Sequence, residues 1–201
     1  MRRLARLAFL CALAAAWAGC ATPRSAFYTL SPAAGAGGGA APSPSAPLPV
    51  RVGPVSVPEI VDRPQIVSRT GPNRISIDEF HRWASPLRDD IGRVVALDLA
   101  SLLGDALVTA TPHPEAGEPG YRVRIDVMAF ESEPGKASAL DAAWTVQPRE
   151  GDGRPRSGRS TVREEVRGPE YSDLAAAHSR ALGRMSADIA DAIRAMERET
   201  K

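Results

Sequence analysis

The strongest constraint on this chain is a hydrophobic period that switches between two and nearly four as the sequence advances. From position 121, Tyr121, Val123, Ile125 and Val127 alternate with Arg122, Arg124 and Asp126. A period of two marks a strand with one buried and one wet face. Leu140, Ala142, Trp144 and Val146 repeat the pattern, and Val162, Glu164 and Val166 repeat it more weakly. Between these strands and the N-terminus the spacing becomes helical: Leu87, Ile91, Val95, Leu99 and Leu102 form one stripe, with Arg88, Asp89, Arg93 and Asp98 expected largely outside it. Ser85 is expected to cap this helix, Pro86 to occupy its first position and Gly104 to stop it. A second helix is expected from a Ser172 cap to about Arg198. Its inner stripe is Leu174, His178, Leu182, Met185, Ile189, Ile193 and Met196.

The first part of the chain carries shorter signals. Phe27-Tyr28-Thr29-Leu30 reads as a short strand. Val50-Arg51-Val52 and Val55-Ser56-Val57 read as one kinked or edge strand interrupted by Gly53-Pro54. Pro58 and Pro64 bracket a turn, and Gln65 to Thr70 and Arg74 to Asp78 flank the hairpin signal Gly71-Pro72-Asn73. Ser31 to Pro47 is almost wholly Ala, Gly, Pro and Ser, a composition that cannot build a core and reads as a linker looping out between the first two strands. The order strands, helix, strands, helix predicts an α+β fold: a single domain in which an antiparallel sheet carries two helices on one face.

The N-terminus is an address rather than part of that domain. Arg2, Arg3 and Arg6 precede an apolar run from Leu7 to Ala16, then Ala18 and Gly19 lead into Cys20. This is the layout of a secretory signal, and the run falls short of the roughly 20 apolar residues that span a bilayer. Residues 1–19 are therefore read as signal peptide, 20–26 as a tether and 27–201 as the folded domain. Ala-Gly-Cys at the end of the run resembles the bacterial lipobox, in which the cysteine thiol takes a diacylglycerol and its new amine is acylated. Two such anchors hold a protein stably on a membrane. Ala21 is not the aspartate that resembles an inner-membrane retention signal, which favours the outer membrane, periplasmic side.

Cysteine usage agrees. Cys11 would leave with the signal and Cys20 would be consumed by lipid, so the mature chain has no thiol for a disulfide or a metal. Removal of three arginines with the signal leaves 22 basic against 24 acidic residues, a balance that argues against nucleic-acid binding.

Motifs for chemistry fail their tests. Gly35-Ala36-Gly37-Gly38-Gly39-Ala40 matches a dinucleotide fingerprint in letters, but Pro42, Pro44 and Pro47 follow where a helix must begin. No Walker phosphate loop is present. His81, His113 and His178 show no metal-ligand spacing, and His178, on an apolar stripe, reads as a hydrogen-bonded core histidine. No nucleophile-elbow motif supports a Ser-His-Asp site. No catalytic residue, metal or cofactor is expected.

Two segments read as candidate contact surfaces. Arg154, Arg156 and Arg159 belong to an arginine-rich stretch read either as a solvated hairpin tip or as a contact for lipid phosphates or an acidic partner. Phe80, His81, Arg82 and Trp83 stand where a strand hands over to the first helix. They read either as packing beneath that helix or as an exposed partner anchor.

The lipobox cysteine, Phe27-Tyr28-Thr29-Leu30, Val52-Gly53-Pro54-Val55 and Arg82-Trp83-Ala84-Ser85-Pro86-Leu87, in that order, resemble the ABC-type transport auxiliary lipoproteins, the family of paraquat-inducible protein C. The linker is longer than that family's pattern, and Trp17 is an unusual lipobox residue. The resemblance implies an outer-membrane-anchored, non-enzymatic component that docks a periplasmic MCE-domain protein in an envelope lipid transport system, with a homo-oligomeric ring among its expected states. The other readings are a lipid carrier with its ligand between sheet and helices, and a chaperone for outer-membrane assembly.

Overall fold

The computed structural model describes residues 24–33, 48–104, 106–110, 119–149 and 153–200. Among the described residues eight strands and two helices follow one another: β1 (Ala26–Tyr28), β2 (Pro49–Ser56), β3 (Gln65–Gly71), β4 (Arg74–Trp83), α1 (Leu87–Leu103), β5 (Leu107–Thr109), β6 (Tyr121–Glu133), β7 (Ala137–Pro148), β8 (Arg156–Glu165) and α2 (Tyr171–Thr200). The α+β class and the two-helix layer are as the sequence predicts.

The sheet is neither single nor wholly antiparallel. Five strands in the order β5-β2-β6-β7-β8 form the main sheet, and β1-β4-β3 form a smaller one. β6, β7 and β8 make the expected antiparallel meander. β2 instead runs parallel to both β5 and β6, and β1 runs parallel to β4. Parallel neighbours need a crossover, and α1 supplies it by carrying the chain from the β3–β4 hairpin back across the main sheet to β5. β2 is kinked as expected, its register with β6 shifting between Val52 and Val55 around the cis Gly53–Pro54 bond.

One face of the main sheet is buried under the helices. Val50, Val52, Val123, Ile125, Leu140 and Val146 from the sheet meet Ile91, Val95 and Leu99 of α1 and Leu182, Met185, Ile189 and Ile193 of α2 in one continuous core. Each such aliphatic side chain contributes about 1.5–3 kcal/mol on full burial. The helix starts differ from the sequence reading by a residue or so. Pro86, not Ser85, stands at the N-cap of α1, with no side-chain cap, and its carbonyl accepts from the amides of Asp89 and Asp90. α2 begins at Tyr171, so Ser172 lies inside the first turn. There the Asp173 carboxylate accepts from the Glu170 amide, the return half of a capping box.

Asp98, expected on the wet side of α1, is fully buried between the helices. It accepts from the Ser186 hydroxyl at 3.2 Å and from the Ala33 amide at 2.9 Å. The second contact exposes another difference. Ser31 to Ala33, grouped with the linker by composition, are strapped onto both helices. The Leu30 amide donates to Asp90 at 2.8 Å, Arg93 donates to the Leu30 carbonyl at 2.7 Å, and the Ser31 amide donates to Ser179 Oγ at 3.0 Å. Leu30 itself enters the core. A backbone stretch with few apolar side chains is thus placed by buried acceptors on the helices, which composition does not register. Residues 34–47 lie outside the described residues.

Candidate functional site

The segment from Phe80 to Trp83 splits into an inner and an outer half, because successive strand residues face opposite sides. Trp83 faces inward and is only 5% exposed. Its ring meets Phe130 and His178 edge-on, each at 6.2 Å between centroids. His178 stacks on Phe130 at 3.9 Å, and its Nε2 lies 2.8 Å from Ser132 Oγ. Burial lowers the His178 pKa to about 3, so the imidazole is neutral and structural. Trp83 is therefore a core side chain, and its reading as an exposed anchor is corrected: the surface it would offer is consumed by the aromatic cluster.

His81 also faces inward and is half-buried. Its ring stacks on Tyr171 at 4.0 Å, and Nδ1 is hydrogen-bonded to the Tyr28 hydroxyl at 2.7 Å. Asp78 organises the strand just before it, accepting from the amides of Phe80 and His81 at 2.9 and 3.0 Å and from the Tyr171 hydroxyl at 3.1 Å. Burial opposes the Asp78 charge, yet those three donors together hold its pKa below the usual carboxylate value. Burial, then the bond to Asp78, raise that of Tyr171.

Phe80 and Arg82 form the outer half. Phe80 is 38% exposed, and Arg82 donates from Nε to the Glu79 carbonyl at 2.9 Å. On the neighbouring strand Phe27 stands in register with Arg82 and is 64% exposed.

Arg156, Arg159 and Arg163 of the 149–163 stretch are each paired with an acid on another element. Arg156 pairs with Glu199 at 2.7 Å, Arg159 grips Asp141 with two bonds at 2.8 and 2.5 Å, and Arg163 pairs with Glu133 at 3.0 Å. Bonding to Arg159 keeps the Asp141 pKa low. Arg154 lies exposed before β8.

A different surface is assembled by pairing that the sequence does not display. The face of the main sheet opposite the helices carries Arg122 and Arg124 on β6, with Arg51 of β2 in register with Arg122. Met128 continues this outward row along β6. β2 pairs with β6 only as far as Asp126, and beyond that point the β3–β4 hairpin leans on β6 through the ion pair between Arg69 and Glu131. A cleft of about 120 Å³ opens there, lined by Ile60, Val61, Val67, Ile75, Met128 and Phe130. Ile60, Ile75, Ile77 and Met128 are large apolar residues left exposed beside it. Alternation marks Arg122 and Arg124 as outward, but only the β2–β6 register brings Arg51 to them and only the hairpin's position makes the cleft.

Among the described residues no group of His, Cys, Asp and Glu is placed to hold a metal ion, and no helix is long and apolar enough to cross a membrane. Between sheet and helices the volume is filled by fully buried side chains, Ile125, Leu140, Leu182 and Met185 among them. Cys20, Ala21 and His113 lie outside the described residues.

The fold is thus a helix-covered mixed sheet whose opposite face carries a row of arginines and an adjoining apolar cleft. The chain belongs to the ABC-type transport auxiliary lipoprotein component family, whose model matches residues 28–190. No curated protein matches. Among solved structures, an uncharacterized protein is similar at a TM-score of 0.69 and 18% identity, covering 85% of this chain and 99% of that one. A protein of Xanthomonas campestris is similar at a TM-score of 0.63 and 20% identity, covering 87% of this chain and 98% of its own. These likenesses establish a shared fold.

Proposed function

We propose that this chain is a non-enzymatic docking component of an ABC-linked envelope lipid transport system, anchored through acylated Cys20 in the outer membrane and facing the periplasm. Its partner in this reading is a periplasmic MCE-domain protein. Family membership over residues 28–190 carries the proposal. The sheet face opposite the helices supports it: a row of arginines with an adjoining apolar cleft offers the mixture found at protein contacts, an apolar centre with a charged rim.

The test is crosslinking in intact cells with a tagged chain, a Cys20→Ala control and an Ile75→Glu, Met128→Glu double variant. Capture of an MCE-domain protein by the wild-type chain, lost in both variants, is the expected result. Absence of any MCE-domain protein from the wild-type sample would overturn the docking role. Undiminished capture by the double variant would move the contact away from the cleft.

A further inference from the structure

We propose that the outer face of the small sheet, centred on Phe27 and Phe80, rests on the surface of the bilayer that holds the lipid anchor. The inference deepens the anchoring reading and rests on acylation of Cys20.

The argument begins with reach. Phe27 follows Cys20 by seven positions, so even a fully extended chain keeps the Phe27 backbone within about 25 Å of the acylated residue. β1 is not a loose continuation of the tether. It is a paired strand, in register with His81, Arg82 and Trp83, and the residues after it are fastened to both helices. The membrane attachment therefore enters the domain through the small sheet and brings that sheet, not the far end of the molecule, to the lipid.

The chemistry of the face fits a bilayer interface. Among the described residues Phe27 is the most exposed of the large apolar side chains, and Phe80 stands on the same face two residues before its register partner Arg82. Their inward neighbours Tyr28, His81 and Trp83 are packed against one another or the core, so the strands cannot turn to hide the two rings. Arg24 is exposed just before β1, and Arg82 lies beside Phe27, with Glu79 3.6 Å away as its intramolecular partner. Aromatic rings flanked by cations match the boundary where headgroup phosphates overlie acyl chains. Beside Phe27 a shallow groove mixes Pro32 and Ala176 with Thr29, Ser172 and Arg180.

The test uses the full-length, acylated protein in vesicles of phosphatidylethanolamine and phosphatidylglycerol doped with a phospholipid spin-labelled near the top of its acyl chain. A fluorophore is placed at Phe80→Cys or, as a control, at Gln147→Cys. Gln147 is in register with Arg122, next to Tyr121, whose hydroxyl bonds Glu197 near the far end of α2. The helix rise puts that end about 40 Å from Tyr171.

Quenching at position 80 should exceed that at position 147 by roughly threefold, because a face buried about 5–10 Å into the headgroup boundary meets the spin label. Adding Phe27→Ala should reduce the difference. Equal quenching at the two positions, with Cys20 acylation verified by mass spectrometry, would overturn the membrane seat and leave the anchor intact. Absence of acyl chains on Cys20 would overturn both.

Discussion

Trp144 overlies Gly158, its register partner on β8, so closely that a Cβ on the glycine would stand 2.2 Å from the indole. The missing side chain is what lets the ring lie across the neighbouring strand and donate from Nε1 to Ser160 Oγ at 3.0 Å, which in turn donates to Asp188 at 2.6 Å. Gly158→Ala should force the indole out of place at a cost of about 1–3 kcal/mol, the usual range for overpacking. Urea denaturation followed by far-UV circular dichroism measures it. An unchanged midpoint would remove the glycine as the reason Trp144 fits.

Trp83→Ala should destabilise the domain by about 3–5 kcal/mol, since it empties the centre of a buried aromatic cluster. Thermal and chemical unfolding report this directly. A variant that kept its wild-type midpoint but lost its partner would return Trp83 to the interface.

Stability should depend on pH through His178. In the unfolded chain the imidazole takes up a proton near pH 6.5, whereas in the folded protein it stays neutral down to about pH 3. The unfolded state then binds more protons across that window, so stability is level above pH 6.5 and falls as pH drops toward 3. Between pH 7.5 and pH 5 the loss should be about 2 kcal/mol. His178→Gln should lose most of this difference, whatever its own stability. Parallel slopes for wild type and variant would assign the pH dependence to other groups.

Asp90→Ala should loosen the strap from Thr29 to Ala33. The Leu30 amide and Arg93 both bond this carboxylate. Leaving a buried donor unsatisfied costs about 1–3 kcal/mol. Hydrogen exchange should accelerate at Leu30 and Ser31 far more than at Val123 or Ile125 in the sheet. Uniform acceleration would show that the strap opens only with the whole domain.

The strands and helices were legible wherever one face is buried and the other wet, because burial writes its period into the sequence. β6, β7 and both helix stripes are examples: Tyr121, Trp144, Ile91 and Ile189 all lie inside as their spacing requires. Pairing was not legible. Nothing local in Val50-Arg51-Val52 specifies a parallel neighbour seventy residues later, since that choice depends on where α1 carries the chain. Three-residue β5 carries too short a pattern to detect. Asp98 was misplaced because a buried carboxylate on a helix looks like a solvated one until its donors, Ser186 and the Ala33 amide, are brought to it from distant segments. The candidate surface followed the same rule: single residues such as Arg122 and Met128 could be read as outward, while the cleft between β6 and the hairpin is a product of packing.

The strap has a mechanical consequence. Any tug between a bilayer and a bound partner would reach the domain through β1 and the next five residues, whose bonds end on α1 and α2 rather than on a surface loop. Such a pull is delivered to the helix layer itself. Detaching the tether therefore means prising Leu30 out of the core and breaking the bonds that Leu30 and Ser31 make to both helices.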